Sequence, residues 1–286
     1  MDFTKLQATG NDFILIEAGD LDYDWSRMSI EMCNRHYGIG ADGLLLLLPS
    51  DVANFQMRVF NADGSQSEAC GNGLRCFARY VLDKGLVSFE ADQILIETIA
   101  GTREVRLNKP DKIQVSMGTP RFGNRDFPVA AESETGAVDI KPTLDFPLIV
   151  DGKELLLDFV SMGNPHAVYF YAGELAEFPL SEVGPQVEQH RMFPNRVNFE
   201  VARLINRGSI EARVWERGVG ETLACGTGAA AIGVMARVRG YIENIVDINL
   251  SGGTLHVEWN EEGEVFLSGP AEIVFTGKWK PGVKME

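Results

Sequence analysis

Apolar and polar residues alternate in short runs along nearly the whole chain, and each run stops at Gly, Pro, Asn or Asp, the pattern of half-buried strands joined by turns. Strands are expected on this basis at 13–16, 55–60, 94–99, 113–117, 155–160, 167–171, 210–215, 255–259 and 273–276. Helical spacing is confined to a few stretches. One is 25–36, and a second is 74–84, where Leu74, Phe77, Ala78, Val81 and Leu82 share a face. The third, 229–238, contains Ala-Ala-Ala-Ile-Gly-Val-Met-Ala and is apolar on every side. A helix without a polar face must be enclosed. The longest apolar run, 44–49, is far too short to span a bilayer.

The chain also repeats itself. Ala69-Cys70-Gly71-Asn72-Gly73 returns 155 residues later as Ala224-Cys225-Gly226-Thr227-Gly228. At the same offset Arg58-Val59-Phe60 matches Arg213-Val214-Trp215, and Gly85 matches Gly240. Close to it, Ala100-Gly101-Thr102 echoes Gly252-Gly253-Thr254, and Gly10-Asn11-Asp12 echoes Gly163-Asn164-Pro165. Matches in one order at almost one offset indicate duplication. The expected class is α+β, with two pseudo-symmetric domains, each a mostly antiparallel sheet curled into a barrel around a central helix. Such curling removes sheet edges and buries the helix together. The first domain is expected at 1–120, with 271–286 returning to it, and carries Cys70; the second, 121–270, carries Cys225. Crossings between the halves are placed at 109–128 and near 268–270.

Composition narrows the functions. The 286 residues suit two domains at roughly 150 residues each. A net charge of −15 leaves no basic footprint for nucleic acid or for an anionic membrane surface. It does not exclude a small anionic substrate, because unpaired backbone amides bind anions locally. Residues 1–5 have no basic segment leading into an apolar core, so no secretory leader is expected and a cytoplasmic location is. Cys33, Cys70, Cys76 and Cys225 are too few and too scattered for a disulfide framework, which fits a reducing compartment. Cys33-Asn34-Arg35-His36 offers two metal ligands with no second pair, short of the four a zinc site wants, so no metal is expected.

A cysteine ahead of Gly-x-Gly at a helix start lies where backbone amides are unpaired and peptide dipoles sum to partial positive charge. Thiolate is favoured there, making the cysteine a usable base near neutral pH. Gly71, Gly73, Gly226 and Gly228 let the backbone close around a small anion such as an α-carboxylate. A single cysteine before a glycine turn is more often packing. A matched pair in duplicated settings points to chemistry. One thiolate takes an α-proton from one face of a carbon, the other thiol returns a proton to the opposite face, and the configuration inverts. Charge that develops on the carboxylate is stabilised by the helix starts. This scheme requires neither metal nor organic cofactor. Cys33 and Cys76 have no twins and read as packing residues.

These residues resemble the diaminopimelate epimerase family, and the match runs nearly end to end. It is carried by Thr9-Gly10-Asn11-Asp12-Phe13, Gly38-Ile39-Gly40-Ala41-Asp42-Gly43, Asn61-Ala62-Asp63-Gly64-Ser65 and both Cys-Gly-x-Gly turns. It continues in Gly163-Asn164-Pro165-His166, Arg196-Val197-Asn198 and Trp215-Glu216-Arg217-Gly218. The resemblance implies cofactor-independent epimerisation of LL- to meso-diaminopimelate, a lysine and peptidoglycan precursor. It implies Cys70 and Cys225 as base and acid, exchanging roles with direction, and amides of Gly71, Asn72, Gly226 and Thr227 on the reacting carboxylate. It further implies Asn11, Asn61, Asn164, Asn198, Glu216 and Arg217 as substrate-binding residues, with His166 and Glu216 tuning thiol protonation. Gly43 stands where many relatives carry Gln and offers no side chain to a substrate. No nucleic-acid or membrane partner is implied, and homodimerisation is left open.

Other readings exist. A racemase for histidine, proline or hydroxyproline on the same scaffold has no use for a receptor at a second charged end, which Asn61, Asn164, Asn198, Glu216 and Arg217 would supply. A hydrolase using one cysteine with His166 leaves the second cysteine and the duplication unexplained. A binding module or metal protein finds no ligand cluster.

Overall fold

Each of the nine alternating runs overlaps a strand in the computed structural model, which describes residues 1–19, 21–67, 70–88, 91–107, 113–123 and 142–280. The duplicated pattern of the sequence reappears as a duplicated pattern of strand pairing. β1 (Asp2–Ala8) and β2 (Asn11–Glu17) form an antiparallel hairpin. β2 runs parallel to β3 (Gly43–Leu48), which pairs antiparallel with β4 (Phe55–Asn61). β4 takes β5 (Gln66–Ser67) antiparallel and β6 (Gln93–Thr98) parallel. β6 then pairs antiparallel with β7 (Gly101–Arg106), and β7 with β8 (Gln114–Gly118).

Further along, β9 (Thr143–Val150) pairs antiparallel with β10 (Lys153–Ser161), and β10 with β11 (Pro165–Phe170). β11 runs parallel to β12 (Asn198–Asn206), which pairs antiparallel with β13 (Ser209–Glu216). β13 takes β14 (Gly220–Thr222) antiparallel and β15 (Ile245–Leu250) parallel; β15 pairs antiparallel with β16 (Gly253–Glu258). β17 (Val265–Ser268) follows, and β18 (Glu272–Lys278) returns to pair antiparallel with β1. The sequence of pairing senses from β1 to β7 is therefore repeated from β10 to β16. Contacts divide the chain into Met1–Val115 with Ser268–Glu286, and Ser116–Leu267. Of the stretch 109–128, only 113–123 lies within the described residues.

Four α-helices obey the same offset. α1 (Trp25–Cys33) and α3 (Leu180–Glu188) are 155 residues apart, as are α2 (Gly71–Asp83) and α4 (Gly226–Val238). α2 packs on β1 to β4 and β18, whereas α4 packs on β10, β11, β12, β15 and β16. The all-apolar run expected to be enclosed is enclosed: Gly226 and every residue from Gly228 to Ala236 are buried. Among the described residues no helix is long and apolar enough to cross a membrane.

Three helix expectations need correction. The helix read at 25–36 ends at Cys33, because Asn34 Oδ1 accepts from the His36 and Tyr37 amides and turns the chain out of the helix. Gly38 then crosses the helix end so closely that a β-carbon would sit 2.3 Å from Glu31 O. α2 and α4 each start three residues before the expected boundary, since the Gly-x-Gly segments, poor helix formers, are the first helical turn itself. α3 was not expected at all. Its Gly184 and Pro185 are poor helix formers, yet Gly184 is needed there: a β-carbon would lie 2.5 Å from Trp215 Cδ2.

Candidate active site

Both cysteines of the repeated turn are helix N-caps with extended backbones, Cys70 on α2 (φ −144°, ψ 109°) and Cys225 on α4 (φ −122°, ψ 117°). Ser, Thr, Asp and Asn cap helices better than other residues, so a sulfur at both positions makes a weaker cap than the position allows. The residue between the glycines is handled alike in the two units: Asn72 is hydrogen-bonded to Asn11, and Thr227 to Asn164. Each asparagine comes from the loop or strand edge that follows the first strand of its repeat.

In the first unit Cys70 Sγ accepts from the Gly73 amide at 3.3 Å. Asn72 Nδ2 donates to Asn11 Oδ1 (3.0 Å), and Asn11 Nδ2 donates to Asp42 Oδ2 (2.7 Å). Arg75 Nη2 donates to Asn72 Oδ1 (2.9 Å) and to Thr9 Oγ1 (3.2 Å). A guanidinium can only donate and a carboxylate only accept, so the ends of this line fix the orientation of both amides between them. Arg75 is fully buried, and burial lowers it to about 10. Among the described residues its Nε and Nη1 meet no acceptor.

The loop carrying Asn11 is held by ions. Asp12 is bound by Lys5 at 2.6 Å and Arg35 at 2.7 Å, and Arg35 also reaches Asp42 at 2.8 Å. Burial by itself raises the Asp12 carboxyl, but hydrogen bonds from Arg35 and Lys5 outweigh it and hold the group at about 2. A carboxyl depressed from 3.8 contributes stability that is complete above that pH and lost as pH falls toward 2. Acid titration is therefore expected to remove about 2 kcal/mol between roughly pH 4 and 2 in wild type but not in Asp12→Asn. Equal acid loss in both proteins, read by denaturant unfolding, would contradict this assignment.

In the second unit Cys225 is buried, and its Sγ lies 3.5 Å from Thr227 Oγ1. Asn164 Nδ2 donates to that hydroxyl at 3.4 Å, and Asn164 Oδ1 lies 2.9 Å from His166 Nε2. His166 Nδ1 meets Glu200 Oε1 at 2.7 Å, with both side chains fully buried. Burial first, and then the Glu216 carboxylate, push the Cys225 thiol well above its ordinary range, while Thr227 pulls the other way. The thiolate preference expected of a helix start thus meets a stronger opposing influence at this cysteine. Burial also raises Glu200, against the pull of His166. Cys33 and Cys76 are buried thiols, Cys33 pushed up by burial to about 12.

Asn198 links the remaining candidates of this unit. Its Nδ2 donates to Pro165 O and its Oδ1 accepts from the Arg217 amide, both at 2.9 Å. Arg217 is exposed, with Nη1 on Asn195 O at 3.1 Å, and Glu216 Oε1 accepts from Thr222 Oγ1 at 2.6 Å. Asn61 stands apart from the Asn11–Asn72 line: Nδ2 donates to Ser65 Oγ within its own turn. Gly43 has no room for a side chain, since a β-carbon would lie 2.9 Å from Phe60 O. Among the described residues no group of three or more His, Cys, Asp or Glu could hold a metal ion.

Three residues of these networks escaped sequence reasoning. Arg75 lies in the first turns of α2, and Glu200 lies in the apolar run of β12. Glu188 ends α3 and accepts from Trp215 Nε1, the Gly218 amide and Arg196, so it braces the Glu216-Arg217 turn. Comparing the two copies at the common offset would have marked all three, since Arg75 is paired with Ala230, Glu188 with Cys33 and Glu200 with Leu45.

The family model described as "Diaminopimelate epimerase" matches residues 3–123 and 159–274. The chain is 43% identical over 285 residues to a diaminopimelate epimerase of Halothermothrix orenii, covering 97% of each. It is 41% identical over 282 residues to one of Caldanaerobacter subterraneus, covering 97% of this chain and 99% of the relative. Among solved structures, a hydroxyproline epimerase from Agrobacterium vitis aligns with a TM-score of 0.68 at 14% identity, over 97% of this chain and 91% of that one. A PhzF-family protein of Enterococcus faecalis aligns with a TM-score of 0.68 at 12% identity, over 98% and 99%. The last two speak for the fold alone.

Proposed function

The chain belongs to the diaminopimelate epimerase family, and from that premise we propose that it interconverts LL- and meso-diaminopimelate by passing the α-proton between Cys70 and Cys225. The observation that carries the reading is the duplicated cap: two cysteines on two Gly-x-Gly helix starts, each with its middle residue bonded to an asparagine. One thiolate removes the α-proton, and the second thiol delivers its own proton to the opposite face. Backbone amides of Gly71, Asn72, Gly226 and Thr227 would receive the carboxylate as its charge grows. Proline- and hydroxyproline-type racemisation is not favoured: relatives at 40% identity or more are named diaminopimelate epimerases, whereas two solved proline-type structures that share the fold are each 14% identical. Purified protein should convert LL- to meso-diaminopimelate without added cofactor; isomer-resolving chromatography that shows no conversion would sink the reading.

Diaminopimelate has a second amino-acid end that the chemistry does not touch. Arg217, whose backbone is fixed by Asn198, offers it a carboxylate fork, and Glu216 a partner for its ammonium. Arg217→Ala is expected to raise KM by roughly tenfold or more while kcat changes by less than about threefold. An unaltered KM in that variant would remove Arg217 from the receptor.

A further inference from the structure

Beside the second glycine the two turns differ in a way that a symmetric proton-transfer scheme leaves unexplained. A β-carbon on Gly73 would lie 3.2 Å from Leu45 Cδ2, and one on Gly228 would lie 3.0 Å from Glu200 Oε1. Leu45 of β3 and Glu200 of β12 are themselves 155 residues apart. Equivalent positions beside the second glycine thus hold a leucine in one copy and a carboxyl in the other. Both side chains are fully buried. Burying an acid where its twin is a leucine is unfavourable unless the acid has work to do.

From Glu200 the contacts run in one line to the sulfur. Glu200 Oε1 meets His166 Nδ1 at 2.7 Å, and His166 Nε2 meets Asn164 Oδ1 at 2.9 Å. Asn164 Nδ2 meets Thr227 Oγ1 at 3.4 Å, which in turn lies 3.5 Å from Cys225 Sγ. Glu200 Oε2 has no partner among the described residues, so this line is the carboxyl's one outlet. Atom types set the direction. An amide oxygen only accepts, so His166 Nε2 must carry a proton; the amide nitrogen only donates, so the Thr227 hydroxyl keeps its own proton for the sulfur. With a bare Nε2 the amide turns over, Thr227 donates to the amide oxygen, and the sulfur faces oxygen lone pairs that only a thiol S–H can satisfy. One polarity therefore suits thiolate and the other thiol.

We propose that Glu200 is a positioning residue for Cys225: by sharing one proton with His166 Nδ1 it keeps a proton on Nε2, and that polarity aims the Thr227 hydroxyl at the sulfur. A buried pair favours the state without net charge. Whether the shared proton sits on Glu200 or on Nδ1, Nε2 retains its own. The hydroxyl then offsets part of the burial, and of the repulsion from Glu216 and from Glu200 itself when its carboxyl is charged, that disfavour the Cys225 thiolate. The inference rests on the reading that Cys225 cycles between thiol and thiolate.

Nitrogen-15 NMR of histidine-labelled wild-type protein tests the first half without any substrate. His166 should show a protonated Nε2, and Glu200→Gln should introduce a bare-nitrogen signal at Nε2; a bare Nε2 in wild type would overturn the proposal. Kinetics test the second half. Glu200→Gln and Thr227→Val are each expected to lower kcat/KM for epimerisation about tenfold, equally in both directions, with KM within about twofold. Because both act through one hydroxyl, the double variant should fall no more than about twofold below the weaker single variant. Multiplying losses, near a hundredfold, would show that Glu200 does not act through Thr227. Wild-type protein inert on diaminopimelate would instead break the substrate assignment and leave the NMR result standing.

Discussion

Cys70→Ser and Cys225→Ser are each expected to lower kcat/KM for epimerisation by roughly 10³-fold or more, because a serine hydroxyl is neither ionised nor readily ionisable near neutral pH. The two losses should not multiply. If both sulfurs serve one proton exchange, the double variant should be no slower than the slower single one, as for residues that act as a unit. Stability should move little, since each cysteine is a weak cap and serine a good one. The check is a stereospecific assay of each variant beside its thermal unfolding curve. Either single variant turning over within about tenfold of wild type would end the two-thiol scheme.

The largest effect on folding is expected at Gly38. Its missing β-carbon would lie 2.3 Å from Glu31 O, 2.6 Å from Met32 O and 2.9 Å from Asn34 O, all backbone atoms at the end of α1 that cannot rotate away. Gly38→Ala should destabilise by about 3 kcal/mol, lowering the thermal midpoint by roughly 5–10 °C. The segment it displaces leads into Asp42, which orients Asn11 and thereby Asn72, so activity should fall along with stability. A wild-type unfolding curve for Gly38→Ala would mean that the backbone at the end of α1 is not held as the structure describes.

Local periodicity and duplication made different parts of the molecule readable. The strands were legible because alternation and turn residues are local signals, and α4 because an eight-residue run without polar residues admits few other fates. The helix starts were misplaced at both turns, since Gly-x-Gly reads as loop until a tertiary setting makes it a helical turn. α3 was hidden by Gly184 and Pro185, whose meaning depends on Trp215 lying against the helix. The 155-residue offset, which found the cysteines, also maps α1 onto α3 residue for residue.

The candidate site shows the same division. Asn11, Asn72, Asn164 and Thr227 belong to motifs, and their mutual bonds follow the repeat. Arg75, Glu188 and Glu200 belong to no motif, and their roles arise from burial and from partners far away in sequence. A charge in a helix or strand reads as a solvated face until its neighbours are known. Comparison of the copies reaches all three, because each has an uncharged counterpart at the common offset: Ala230 for Arg75, Cys33 for Glu188 and Leu45 for Glu200.

Separate sulfurs are proposed to handle the outgoing and incoming protons. LL-diaminopimelate incubated with the protein in deuterium oxide measures this by the isotope at the inverted carbon during the first turnovers. A thiol carries one hydrogen, so the substrate's proton stays on the first sulfur while the second delivers solvent deuterium. Meso product should carry one deuterium while unreacted LL substrate remains unlabelled. Product that retains the substrate's own hydrogen, or substrate labelled as fast as product forms, would mean that a single group works on both faces.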